Sequence, residues 1–402
     1  MLTTATYARD GRRATISVER IDTFVEYTDT IVNFPGIVVL DGDRLVLSAN
    51  HARHGDFEGE PLRTFLSEDG GATWTLLGLD SPFLDAHPLT GENYLTFAGG
   101  NRGYMQDGTI THIDVHQADL EHRQWSRRDG PLHAIMQTAD HRLRWRRWSN
   151  SGEPLENRLI TLQNTPWETG SYENYARILE LGGGELLTAV GVLAGAPPRL
   201  PGVDRRGRPH FNMRFSVGII RSHDNGETWE VTAAFHPWEH EQVYGPHDRP
   251  VDEGFDEADL EIASNGDLVL IMRSGSYSPI FQTRSPDGGD TWTEPECMGW
   301  PAVKPRLHLL SNGVLAAVSG RGGYGHPQVT HVILSLDGTG SHWEMPFPFH
   351  TGPGCSYTTT FVQDGQLHVV FSHSDFTREM GTNQLPSQRI RRAVINVETH
   401  DD

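Results

Sequence analysis

Residues 256–292 read DEADLEIASNGDLVLIMRSGSYSPIFQTRSPDGGDTW. Leu260, Ile262, Leu268, Leu270 and Met272 recur with the period of two that marks half-buried strands. Asn265-Gly266 lies between the two runs and predicts a tight hairpin, because both turn positions favour positive φ. Phe281 to Arg284 predicts a third strand, and the segment closes on Ser285-Pro-Asp287-Gly-Gly289-Asp-Thr-Trp292.

The closing octet recurs. The pattern Ser-x-Asp-x-Gly-x-x-Trp also runs from Ser67 through Asp69 and Gly71 to Trp74, and from Ser222 through Asp224 and Gly226 to Trp229. A looser copy, Ser335, Asp337, Gly340 and Trp343, carries an extra residue. A hairpin tip explains these residue types. The Asp carboxylate accepts from turn amides, Gly takes the left-handed position and Trp packs across the turn. The repeat is therefore a folding element, not a catalytic one. Trp74, Trp125, Trp229, Trp292 and Trp343 fall at intervals of one or two propeller repeats of ~40–50 residues.

The octet resembles the Asp-box, or BNR repeat, of the sialidase-like β-propellers, and the resemblance extends over most of the chain. It implies an all-β, six-bladed β-propeller of four-stranded antiparallel blades, with seven blades as the alternative. Residues 1–402 would form one domain, closed by a strand within about residues 12–32 pairing with C-terminal strands near Arg392–Val397.

Composition agrees with a turn-rich β domain: 43 Gly and 24 Pro in 402 residues. No apolar run reaches ~18 residues, so no membrane span is expected. The first twenty residues lack an apolar signal core, which favours the cytoplasm unless a signal has been removed. Two cysteines, Cys297 and Cys355, rule out a disulfide framework and leave room for one bridge. A formal charge of −20 disfavours nucleic acid and anionic membranes as partners. Lys304 is the only lysine. The stripe Arg142, Arg144, Arg146 and Arg147 with Trp145 and Trp148 reads as a strand edge, given that acidity. Ala194–His210, rich in Pro, Gly and Arg, reads as a long loop.

A propeller brings the entry ends of its innermost strands to one central funnel, and four residues match the sialidase pattern there. Glu257 and Arg273 flank the Asn265-Gly266 hairpin. The resemblance makes Glu257 the base for a tyrosine nucleophile and Arg273 a ligand of the substrate carboxylate; the alternative is a salt bridge at strand ends. Tyr357, in GCSYTTTFVQDG, resembles the nucleophile. A tyrosine of pKa ~10 needs a neighbouring base to attack near neutral pH. Asp56, in the loop HARHGDFEGEP, resembles the acid/base aspartate, flanked by His51, Arg53 and His54 as substrate-binding candidates. No compact His/carboxylate motif predicts a metal, and no cofactor is expected.

The departures bear on the substrate. Sialidases open their first blade with Arg-Ile-Pro, whose arginine clamps the substrate carboxylate. Here Asn33-Phe34-Pro35 stands in its place. Where a third clamp arginine is due, GYGHPQVTH offers His326, with Arg321 nearby but off the pattern. An amide does not replace a bidentate guanidinium. The expected substrate is therefore a carbohydrate with a terminal acidic sugar, and sialic acid itself is disfavoured.

The leading expectation is a retaining exo-glycosidase with Asp56, Glu257 and Tyr357 as its catalytic set. A uronate-directed polysaccharide lyase is the second, with a base among His51, His54, His247, His308 and His326. A non-catalytic carbohydrate-binding propeller is the third.

Overall fold

A computed structural model describes residues 3–27, 33–41, 43–50, 63–77, 87–89, 93–98, 102–106, 109–110, 133–135, 141–149, 154–167, 170–174, 176–194, 201–203, 209–211, 215–236, 254–275, 278–320, 329–352, 357–374 and 388–401. These residues form an all-β propeller of antiparallel, four-stranded blades. Four sheets have four strands and two have five, with a three-stranded and a two-stranded sheet beside them. In one five-stranded sheet two short strands, Gly170–Asn174 and Leu179–Gly182, pair with the same edge of Glu185–Ala194. In the other, Thr4–Arg9 is added outside Arg12–Tyr27.

The opening stretch folds into one sheet, with strands Asp256–Ile262, Leu268–Arg273, Pro279–Ser285 and Glu296–Pro301 in that order. Leu260 faces Leu270 and Ile262 faces Leu268 in the ladder. The alternation read from the sequence is only half of the pattern, since Val269 and Ile271 are as buried as Leu268 and Leu270. Sheets stack face to face around the ring, so a middle strand has a core on each side. Leu268, Leu270 and Met272 pack with Leu187, Val217 and Ile219 of the preceding sheet. Val269 and Ile271 pack with Leu307, Leu315 and Ile333 of the following one.

The Asn265-Gly266 turn differs from expectation. Gly266 has φ +88° while Asn265 is not left-handed. The Gly266 amide donates to the Ala263 carbonyl at 2.9 Å and the Ala263 amide to that of Asp267 at 2.8 Å. This is the type I turn with a following left-handed glycine. The two-residue turn with both φ positive occurs at Asp364-Gly365, φ +52° and +75°, where Gln363 and Gln366 pair directly.

The N-terminal strand Arg12–Tyr27 runs antiparallel to Gln388–Asp401, so both ends of the described chain share one sheet. The strand-edge reading of the arginine stripe is corrected. Arg142–Ser149 is an interior strand, paired on one side to Pro154–Thr161 and on the other to Asn93–Ala98, with Trp145 fully buried. The loop expected at Ala194–His210 contains a small hairpin, Pro201–Val203 against Pro209–Phe211. Trp125, one of the tryptophans spaced at the expected repeat, and Cys355 lie outside the described residues; Cys297 is a free, exposed thiol.

Each Asp-box joins the third and fourth strands of its sheet and uses the same bonds. At residues 285–292, Ser285 Oγ donates to Asp287 Oδ1 at 2.9 Å. The Gly289 amide donates to Ser285 Oγ at 2.7 Å, and Thr291 donates twice to Asp287, at 2.9 Å from its amide and 2.6 Å from its hydroxyl. The extra residue of the last copy moves the threonine inward, so Thr339 takes this role at 3.0 Å from both its donors.

Side chains on the third strand of each preceding sheet clasp these boxes. Arg392 donates to the Gly70 carbonyl at 2.7 Å, Arg147 to that of Asn225 at 2.6 Å, Arg221 to that of Gly288 at 2.5 Å and Gln282 to that of Gly340 at 2.8 Å. The box glycine must be close to the neighbour for this. A Cβ at Gly289 would sit 2.7 Å from Leu187 Cδ1 and 2.8 Å from Arg221 Nη2, and its φ is +97°.

Two outcomes follow from these contacts. Arg221→Met leaves the Gly288 carbonyl and Asp290 without their charged donor, and costs about 2 kcal/mol in urea unfolding. The threonine hydrogen bonds, first among the causes, hold the carboxyls of Asp69 and Asp287 down at about 2. A depressed folded pKa contributes stability above the unfolded value of ~4, which is lost as pH falls through 2. The melting temperature should therefore drop between pH 4 and 2, and less steeply in Asp287→Asn.

Candidate functional site

The innermost strands Asp256–Ile262, Val303–Leu309 and Thr358–Gln363 lie side by side in consecutive sheets, and Asn33–Asp41 follows Thr358–Gln363. They run in the same sense, so their first residues share one mouth. Glu257 and Lys304 are the second residues of their strands, and Tyr357 immediately precedes its own. Arg273 ends the second strand of its sheet and pairs with Asp256, which brings it to the same end.

Three of the expected residues touch there. Tyr357 donates its phenolic hydrogen to Glu257 Oε1 at 2.7 Å. Arg273 Nη1 lies 2.8 Å from that same oxygen and 3.1 Å from the Tyr357 hydroxyl. The Lys304 amide donates to Glu257 Oε2 at 2.8 Å. Both carboxylate oxygens are thus engaged, in a site where Glu257 is 4% and Arg273 6% exposed. Burial pushes the Glu257 carboxyl up, but the Arg273 charge and the bonds from Tyr357, Arg273 and Lys304 outweigh it and hold the pKa below the usual glutamate value. Glu257 therefore stands ionised, oriented to accept the phenolic proton. The salt-bridge alternative and the functional reading describe the same contact, since Arg273 pairs with Glu257 while also touching Tyr357.

The backbone is strained at this point. Glu257 has φ +28° and Lys304 φ +43°, in bulges between Asp256 and Asp259 and between Val303 and Arg306. Non-glycine residues enter this region at a cost of order 1–3 kcal/mol, and such strain clusters at functional sites. Bulges re-aim side chains that a regular ladder would direct elsewhere.

Deeper along the same strands lies a polar network that the expected site omits. Asp259, fully buried, accepts from the Arg177 amide at 3.1 Å, the Arg177 side chain at 3.1 Å and the Leu307 amide at 2.9 Å. Arg306 stands 3.6 Å from its other oxygen, and Arg177 also reaches Glu261 at 2.6 Å. Burial alone would raise the Asp259 carboxyl, yet the charges of Arg177 and Arg306 and these bonds bring it to about 2. His308 bonds Thr360 Oγ1 at 2.6 Å; burial, then the Arg177 and Arg306 charges, push its pKa down to about 3. The signal was present in the sequence: Glu257, Asp259 and Glu261 alternate with the apolar Leu260 and Ile262, an acidic face on a strand whose other face is core.

Asp56, His51, Arg53, His54, Arg321 and His326 lie outside the described residues, as does His247. Asn33 opens the innermost strand of its sheet, pairing with Asn50. His308 is in the ring but four residues down its strand from Lys304, about 13 Å at ~3.3 Å per residue, so it does not belong to the mouth. Among the described residues no group of three or more His, Cys, Asp or Glu side chains is arranged to hold a metal ion.

A family model described as a BNR repeat-like domain matches residues 208–369, which carry the second, third and fourth boxes, Glu257, Arg273 and Tyr357. No curated protein matches the chain. Several solved structures are similar. A protein of unknown function from Dyadobacter fermentans has a TM-score of 0.62 at 18% identity, covering 95% of this chain and 99% of that one. The Trypanosoma rangeli sialidase in complex with the inhibitor DANA has a TM-score of 0.53 at 14% identity and covers 91% of this chain, which spans only 55% of that enzyme. The intramolecular trans-sialidase from Ruminococcus gnavus, in complex with oseltamivir carboxylate, has a TM-score of 0.50 at 13% identity, covering 93% and 96%. At such identities the likeness is one of fold.

Arg177→Leu tests the deeper network. It leaves Asp259 buried with part of its counter-charge removed, and costs about 3 kcal/mol or more in urea unfolding, since breaking a buried pair from one side is more costly than the pair itself is stabilising.

Proposed function

We propose that this chain is a sialidase-like BNR propeller and acts as a retaining exo-glycosidase on a terminal acidic sugar. The observation that carries this reading is the 2.7 Å bond from Tyr357 to an ionised Glu257, with Arg273 bridging both. A neutral phenol is a poor nucleophile. Here its proton has an acceptor already aligned, and the guanidinium beside the oxygen favours the negative charge that the oxygen takes on as its proton leaves.

In the first half-reaction the Tyr357 oxygen bonds to the anomeric carbon and its proton passes to Glu257. The bond to the leaving oxygen breaks as Asp56 protonates it. In the second, Asp56 takes a proton from water, the water oxygen replaces Tyr357 at the anomeric carbon, and Glu257 returns its proton to the phenolate. A tyrosine nucleophile is the exception to the two-carboxylate scheme. It suits an anomeric centre that carries a neighbouring negative charge, because a neutral nucleophile paired with a base avoids repulsion between anions.

The lyase alternative gains no support from His308, which lies away from the mouth and is a weak base at a pKa of about 3. A panel of chromogenic glycosides, including sialosides and glucuronides, tests the proposal. Tyr357→Phe and Asp56→Asn should each lower turnover by ~10²-fold or more at unchanged melting temperature. Unchanged rates in both variants would remove these roles, and an unsaturated, ultraviolet-absorbing product would replace hydrolysis with β-elimination.

A further inference from the structure

No Asp-box serves the seam on which the ring closes. The closing sheet draws its third and fourth strands, Gln388–Asp401 and Arg12–Tyr27, from opposite ends of the sequence, so no turn joins them. Two histidines meet across this seam. His350 Nε2, on strand Phe347–Thr351, stands 3.1 Å from His373 Nδ1, on strand Gln366–Ser374 of the closing sheet. The rings are 5.1 Å apart, and His350, 5% exposed, also lies 4.8 Å from the ring of Phe371.

Both histidines are tied to the site by register. His350 ends a row across its sheet, Val303, Gly320 and Thr330, that begins beside Lys304. The Lys304 amide in turn holds Glu257 at 2.8 Å. On the other side of the seam, Phe371 pairs with Thr358, the residue after Tyr357. The Tyr357–Glu257 contact thus spans two seams, and the histidine pair joins the second of them one strand out from Tyr357.

A hydrogen bond between two imidazoles needs one nitrogen with a proton and one without. It holds while the pair carries no more than one positive charge. A second charge makes both facing nitrogens donors, which breaks the bond and sets two cationic rings against each other. The surroundings oppose that proton. Burial first, then His373 and the Arg391 guanidinium, push the pKa of His350 down to about 4. Among the described residues these two are the charges acting on His350. Arg389, paired with His373 in the ladder, has its charge met by Glu26 at 2.8 Å, and Thr330, opposite His350, brings none.

We infer that His350 and His373 form an acid-sensitive latch, which holds the strand after Tyr357 to the neighbouring sheet at neutral pH and releases it when both rings are charged. The inference adds regulation to the proposed site. The latch rests on these contacts alone, and only its effect on turnover rests on the glycosidase reading.

A folded pKa below the unfolded value of ~6.5 contributes stability above that value, and the contribution is lost as pH falls toward 4. Urea unfolding of wild type and His350→Gln between pH 7 and 4.5 measures this, since glutamine keeps an N–H for His373 and takes no charge. Near pH 5 wild type should take up about one proton more than His350→Gln on unfolding, read from the slope of stability against pH. The other histidines of low pKa, His308, His331 and His368, titrate alike in both proteins and cancel. From pH 7 to 4.5, hydrogen-exchange protection over Thr358–Gln363 and Gln366–Ser374 should fall about tenfold or more in wild type and far less in His350→Gln, while Asp256–Ile262 falls less in both. His373→Gln should lessen the loss too, because a lone cationic ring meets no repulsion across the seam. Equal proton uptake by wild type and His350→Gln, or protection lost equally over all three strands, would overturn the latch. If the latch titrates in this way and no glycoside is cleaved, the hydrolase reading fails and the latch stands.

Discussion

The clasp between neighbouring blades is the contact on which this architecture depends. A twisted four-stranded sheet is too small to stand alone, and its two faces must both find a core. The Asp-box turn provides the joint. Its Ser, Asp and Thr satisfy one another, which leaves one carbonyl directed outward, and Arg392, Arg147, Arg221 or Gln282 of the sheet before it donates to that carbonyl. The tryptophans add apolar area at the same seam: Trp74 meets Phe24 edge-on at 5.0 Å and Trp292 meets Phe235 at 5.9 Å. Turn and neighbour are thus specified together, which explains why serine, aspartate, glycine and tryptophan recur as a set.

Near the axis a different problem arises. The innermost strands belong to separate sheets, so backbone ladders do not join them, and side chains must. Asp259 does this by accepting amides from Arg177 and Leu307 on either side of its own strand. His308 continues the link to Thr360, three residues beyond Tyr357. The strands that carry Glu257, Lys304 and Tyr357 are held at fixed offsets by this layer. A hydroxyl and a carboxylate from residues a hundred positions apart can then meet at 2.7 Å. Burial strengthens each charge interaction in the layer and penalises any that is left uncompensated.

Much of this was legible in the residues. Four boxes, the hairpin glycines and the alternating segments named the fold, because turns and strand periods are local properties. Glu257, Arg273 and Tyr357 were legible as a resemblance of position within hairpins. The Asp259 network was not, although its acidic alternation was on view, because an exposed acidic face and a buried, arginine-filled one have the same letters. Arg147 was misread for a similar reason. Charge suggests an edge, and only the presence of a box carbonyl from the next blade explains why an arginine sits on an interior strand. Asn265-Gly266 had the letters of a two-residue turn, yet the longer loop was chosen, and the Ser264 amide in it donates at 3.0 Å to the Gly338 carbonyl of the following blade.

The sequence by itself determined the strands, the boxes and the identity of the groups that could do chemistry, since these follow from short-range preference and residue type. Tertiary structure alone decided which of them meet. Ring closure brings the first residues of successive innermost strands to one mouth, bulges turn Glu257 into it and give Lys304 the same place in the next blade, and burial beside Arg273 keeps the Glu257 carboxylate charged. Proximity across the axis has no period along the chain, so no local pattern can encode it.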